Sequence, residues 1–156
     1  MKKLLFLFCL LSWSVLHAQK TINRPPFIAK ATETIEIAAI HLSDTATVVD
    51  VDAKFIPKNW IRIAPATCLV ADNGERYQVR QGVGIELGQE FWMPESGEAT
   101  FSLIFPPLPA SVKSFDFVEG EGERDFNLFG ISLIGKLPKL QLPKDLRSEE
   151  RRVGKE

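Results

Sequence analysis

Cysteine is almost missing from this chain: of two, Cys9 falls in an apolar N-terminal run and only Cys68 is left to the body of the protein. No internal disulfide, no CxxC pair and no set of thiols at zinc-ligand spacing is therefore to be expected. Histidine is as scarce. Apart from His17 near the N-terminus, His41 stands alone. A general base needs a nucleophile to serve or a carboxylate to orient it, and no Ser or Cys motif lies near His41 in sequence. It reads as a structural or surface residue, and a small hydrolase is set aside. Past residue 11, no apolar run approaches the roughly 20 residues that a membrane span needs. No Lys/Arg cluster occurs that would present a basic patch to phosphates, which argues against nucleic acid. Helical apolar stripes are missing as well, so the pattern is left to strands.

The two ends are read separately from the middle. Lys2 and Lys3 precede the apolar run 4–11, and residues 12–18 lead to a cleavage position after Ala18. Residues 1–18 are thus expected to be a signal peptide, which places the mature protein in the periplasm or at the cell surface. Phe8 before Cys9 is too large for a lipid-anchor motif, so a lipoprotein is not expected. At the other end, residues 147–156 read RSEERRVGKE, seven of the ten charged. They back-translate into what resembles a widely used sequencing adapter in frame, and they are left out of the fold. On that reading the natural protein continues beyond Leu146. Removing two lysines with the signal, and four basic and three acidic residues with the tail, leaves 13 basic and 17 acidic residues over 19–146, a net charge of −4.

What the middle does contain is alternation. Ala99, Phe101, Leu103 and Phe105 fall on every second position of 99–105, and Val49, Val51, Ala53 and Phe55 do so in 45–55, opposite Asp50, Asp52 and Lys54. This is the period that gives a strand one apolar face. Phe115 and Phe117 flank Asp116 in a shorter strand, and 126–134 makes another after the Glu119-Gly120-Glu121-Gly122-Glu123 turn. Residues 33–42 are strand-like with a blurred pattern, and Trp60 and Arg62 share one face opposite Ile61 and Ile63. Residues 67–71 and 77–80 flank Asp72-Asn73-Gly74, a hairpin signal because Asn-Gly tolerates positive φ. Residues 81–88 are too glycine-rich to read as a strand with assurance. The sum is an all-β, immunoglobulin-like antiparallel β-sandwich of seven to nine strands over 31–135. An extended leader at 19–30 precedes it, and a proline-rich linker at 136–146 follows.

Each candidate for chemistry has a plainer reading. Asp44, Asp50, Asp52, Glu119, Glu121 and Glu123 offer oxygens for calcium, but Asp50 and Asp52 lie on a strand face and the EGEGE turn lacks the ligand spacing of a calcium loop; a solvated acidic face is favoured. No metal or cofactor is implied. Cys68, in an apolar stretch, reads as a small buried residue rather than a reactive thiol, with Arg62 the electropositive group nearest in sequence. Trp60, Tyr77, Phe91 and Trp92 could form an aromatic platform for sugar or peptide, against the reading that a core or domain interface buries them. Within that set, 91–93 is the part expected to meet a neighbouring domain.

Thr45-Ala46-Thr47-Val48, Trp60-Ile61-Arg62-Ile63, the run from Phe91-Trp92-Met93-Pro94 to Ala99, Phe105-Pro106-Pro107-Leu108-Pro109 and Phe115-Asp116-Phe117-Val118-Glu119-Gly120 together carry a resemblance. Over roughly residues 33–146 the chain resembles the N-terminal β-domain found ahead of a thioredoxin-like module in exported bacterial TlpA-type thiol-disulfide oxidoreductases. The resemblance implies that the redox step, in which one thiolate attacks and a second resolves, belongs to a CxxC module following the linker. No catalytic residue carries over to this chain. The expected partner is that missing thioredoxin-like domain or another exported protein. The alternative is a stand-alone secreted module that binds a glycan or peptide.

Overall fold

The computed structural model describes residues 19–120, 122 and 125–137. Their strands, in chain order, are β1 (Lys20–Asn23), β2 (Ala29–Lys30), β3 (Ile35–Leu42), β4 (Thr47–Lys54), β5 (Trp60–Ile61), β6 (Cys68–Ala71), β7 (Arg76–Gln78), β8 (Gln81–Val83), β9 (Phe91–Trp92), β10 (Glu98–Phe105), β11 (Ser114–Val118) and β12 (Leu128–Ser132). One five-stranded sheet has the order β1-β3-β4-β10-β8, a second has β2-β12-β11-β6-β7, and β5 pairs with β9 as a two-stranded ribbon. All pairings are antiparallel. No helix occurs among the described residues.

The alternating strands are the centre of each sheet. In β4, Thr47, Val49, Val51 and Ala53 are buried while the residues between them face outward; in β10, Phe101, Leu103 and Phe105 are buried opposite them. The second sheet contributes Phe115 and Phe117 from β11, Leu69 from β6 and Leu128 and Ile131 from β12. Apart from Thr47, all belong to one hydrophobic core. The rings of Phe105 and Phe117 meet edge to face across it, centroids 6.4 Å apart and planes at 78°, the geometry that the ring quadrupoles favour. Two sheets closed on a shared core make this an antiparallel β-sandwich.

The blurred pattern of β3 has a local cause. Its register against β4 shifts between Ile37 and Ala39, the mark of a β-bulge, in which one extra residue reverses the inward-outward alternation. Ile40 therefore faces the core opposite Val49, and His41 is turned to the outer face opposite Val48. The Asn73-Gly74 turn joins β6 to β7 with Gly74 at φ +85°, a left-handed conformation that glycine adopts without a Cβ clash.

Two expectations differ from the structure. Residues 19–30 are not merely a leader: β1 lies on the edge of the first sheet, paired with residues 39–42, and β2 on the edge of the second, paired with β12. Ile22 packs against the core, and the polar composition around it reflects two edge strands with one wet side. The strands among the described residues also number twelve rather than seven to nine: β1 and β2 lie in the segment expected to be a leader, and β8 and β9, of three and two residues, are too short to show a period. Of the expected linker, Lys136 and Leu137 are described and exposed. Its remainder, the expected signal peptide at 1–18 and the adapter-like 147–156 lie outside the described residues.

Candidate functional site

The β5–β9 ribbon sets Trp60 directly opposite Trp92 and Ile61 opposite Phe91. The pleat then decides what each does. Ile61 is buried, and Phe91 packs inward with its ring 6.4 Å from that of Phe101. Trp60 and Trp92 must point the other way, and they are 43% and 60% exposed. A facing pair of large aromatic rings left in water is a candidate contact surface.

The ribbon is fixed from both ends. Met93 N–H donates to Asn59 O at 2.8 Å, Lys58 N–H to Met93 O at 3.2 Å and Phe55 N–H to Gly97 O at 2.9 Å. Gly97 has φ +70°, and a Cβ there would stand 2.6 Å from Phe55 O, so the turn that brings β10 past the ribbon requires glycine. Lys58 and Glu95 pair across the ribbon turn at 2.9 Å. Ile56, beside it in sequence, is also exposed.

Of the aromatic set singled out in the sequence, the fold brings Trp60 and Trp92 together on the surface and turns Phe91 to the core. Tyr77 sits apart from them, on β7 at the edge of the second sheet, partly buried against the core. Its hydroxyl donates to Glu75 at 2.5 Å, and that bond pushes the phenol above its ordinary pKa.

A groove of about 560 Å³ opens beside Trp60, with Phe55, Arg62, Glu119, Asp125 and Phe126 among its walls. Glu119 holds the walls together. Its Oε1 accepts Ala64 N–H and its Oε2 accepts Phe126 N–H, each at 2.8 Å. Its own N–H donates to Asn127 Oδ1, and Asn127 Nδ2 donates to Gly120 O. Burial pushes the Glu119 carboxyl above its ordinary value; the two N–H bonds and Arg62 oppose that shift, and the negative charge of Asp125 adds to it. Asp125 Oδ2 accepts Gly122 N–H at 2.7 Å, closing the acidic turn on itself. Oxygens considered for calcium at Glu119 are thus directed at backbone N–H groups. Glu121 and Glu123 lie outside the described residues, and no group of three His, Cys, Asp or Glu side chains suited to a metal occurs among the described ones.

The partners of His41 lie far from it in sequence. Thr21 Oγ1 lies 2.9 Å from its Nδ1, Asp50 Oδ2 is 2.8 Å from its Nε2, and Ser102 Oγ donates to Asp50 Oδ1 at 2.7 Å. The row runs across β1, β3, β4 and β10, on the outer face to which the bulge turned His41. Hydroxyl, imidazole and carboxylate stand here in the connectivity that acyl transfer uses. Thr21, however, is exposed on an edge strand and Asp50 is shared with Ser102, so the row acts as a cross-strand tie that fastens β1 to the sheet. Burial pushes the Asp50 carboxyl up, but the bonds from Ser102 and His41, with the charge of His41, outweigh it and hold the group below its ordinary 3.8.

Cys68 is buried, and the guanidinium beside it is that of Arg76, whose Nη2 donates to Sγ at 3.2 Å. Arg62, closer in sequence, lines the groove instead. The β6–β7 register, which sets Val70 opposite Arg76, makes the difference.

Compared with protein-family models, curated proteins and solved structures, the chain finds no match in any of the three.

Replacing Glu119 by Ala leaves the Ala64 and Phe126 N–H groups without their acceptors and is expected to lower unfolding free energy by about 2 kcal/mol or more. Glu119→Gln, which keeps one acceptor, should lose less; equal urea midpoints for wild type and Glu119→Ala would contradict this role. Asp50 has a lowered folded-state pKa, so its contribution is full above 3.8 and is lost as pH falls through that lowered value. The stability gap between wild type and Asp50→Asn should therefore be widest near neutrality and narrow below 3.8. A gap that stays constant through acid unfolding would exclude the tie.

Proposed function

We propose that this chain is a non-catalytic, exported, immunoglobulin-like accessory domain whose Trp60–Trp92 ribbon docks a thioredoxin-like thiol-disulfide oxidoreductase module. The observation that carries the reading is the facing pair of exposed tryptophans, on a ribbon whose other face is anchored in the core. Interfaces draw most of their energy from a few aromatic anchors held on rigid supports, and this ribbon has both features. The resemblance of residues 33–146 to the domain that precedes thioredoxin-like modules supplies the partner class. Redox chemistry would belong to the partner, since exchange needs an attacking and a resolving thiol. Cys68, buried beneath Arg76, is suited to neither part.

A second reading has its own observation: the groove beside Trp60 is large enough for part of a glycan or peptide, as a stand-alone secreted binding module would need.

Genomic DNA read through the Leu146 codon separates the two. The docking reading expects the frame to continue into a thioredoxin-like segment with CxxC. A stop codon within a few codons, together with saturable ligand binding lost on Trp92→Ala, would replace it with the second. Where the module is found, Trp60→Ala combined with Trp92→Ala should weaken docking by about 2 kcal/mol, roughly thirtyfold. Stability should change less than on truncation of a core ring, because Trp60 and Trp92 are 43% and 60% exposed.

A further inference from the structure

We propose that the groove beside Trp60 receives a lysine or arginine side chain from an extended basic segment of the docking partner; this rests on the docking reading above and names the chemistry that the face selects. Glu33, Glu119 and Asp125 line the groove against one cation, Arg62. Lys30 approaches Glu33 at 2.7 Å, but among the described residues no cation comes within ion-pair distance of Glu119 or Asp125.

The two carboxylates at the groove also keep spare acceptor capacity. A carboxylate offers about four lone-pair sites. Glu119 uses two on Ala64 and Phe126, and the described bonds of Asp125 use Oδ2 alone, on Gly122. An ammonium brings three donors and a guanidinium five, so either suits what is left.

The groove has an apolar wall as well. Trp60, Phe55 and Phe126 flank the same space. A long basic side chain lays its methylenes along such rings while its head reaches the carboxylates, and a cation over an indole face gains further attraction. An acidic segment would meet repulsion at the same place, and a neutral sugar would draw nothing from the net negative charge of the described lining residues. Burial of Glu119, reinforced by the charge of Asp125, raises its carboxyl pKa; a cation seated between them would pull it back down, which a merely structural Glu119 would not register.

The test titrates the full chain with a capped hexapeptide of alternating glycine and lysine, its glutamate counterpart and cellohexaose, following the Trp60 indole N–H by NMR. The lysine peptide should shift that signal saturably and the other two should not. Asp125→Asn, which keeps an acceptor for Gly122, should weaken binding about three- to tenfold, whereas Asp44→Asn on the β3–β4 turn should leave it unchanged. The Glu119 carboxyl should titrate at lower pH when the lysine peptide is bound. Equal binding of the glutamate peptide or cellohexaose, an unmoved Trp60 signal, or an Asp125→Asn variant that binds as wild type would each overturn the inference. If the lysine peptide fails while the tryptophan variants still weaken docking, the docking reading stands without it. If the lysine peptide binds while those variants leave docking intact, the docking reading falls and the groove remains a basic-peptide site.

Discussion

The structure depends on one constraint, the two-residue period of the pleat, enforced wherever a strand must bury one face. It unites Val49, Val51, Phe101, Leu103 and Phe105 from the first sheet with Leu69, Phe115 and Phe117 from the second, joined at the edge-to-face contact of Phe105 and Phe117. The same rule governs the ribbon. Because Ile61 and Phe91 face inward, Trp60 and Trp92 face water. The exposed aromatic pair follows from core formation and cannot be withdrawn without turning the ribbon over.

Polar side chains then fix what the apolar faces leave loose. Glu119 ties the segment after β5 to the segment before β12, two regions 55 and 7 residues from it in sequence. The row Thr21, His41, Asp50, Ser102 fastens the short edge strand β1 across three neighbours. Both devices serve backbone placement. A bonded carboxylate at a half-buried site, where an unpaired one would be costly, is how a groove wall can be both polar and rigid.

Legibility in the sequence tracked strand length and sequence separation. Strands β4, β10 and β11 were readable because five to eight residues alternate without interruption, and the Asn73-Gly74 turn because its backbone needs positive φ. Strands β1 and β2 were read as a leader since their pairing is with distant residues, and β3 looked irregular because a bulge reverses its faces midway. At the site, Trp60 and Trp92 were legible as aromatic candidates. Their register opposite one another was not, as 32 positions separate strands of two residues each. Tyr77 joined them in composition only. The partners of Cys68 and His41 came from neighbouring strands, so sequence proximity pointed to Arg62 and to nothing, respectively.

Photo-crosslinking is the measurement that decides whether the Trp60–Trp92 ribbon docks a partner. A benzophenone side chain would be placed at position 92 of the protein, with a thioredoxin-like module present, and, in a parallel sample, at position 77. Docking through the ribbon predicts crosslinks from position 92 that converge on one surface of that module, with position 77 silent. Equal yields from the two positions, or none from position 92, would contradict it.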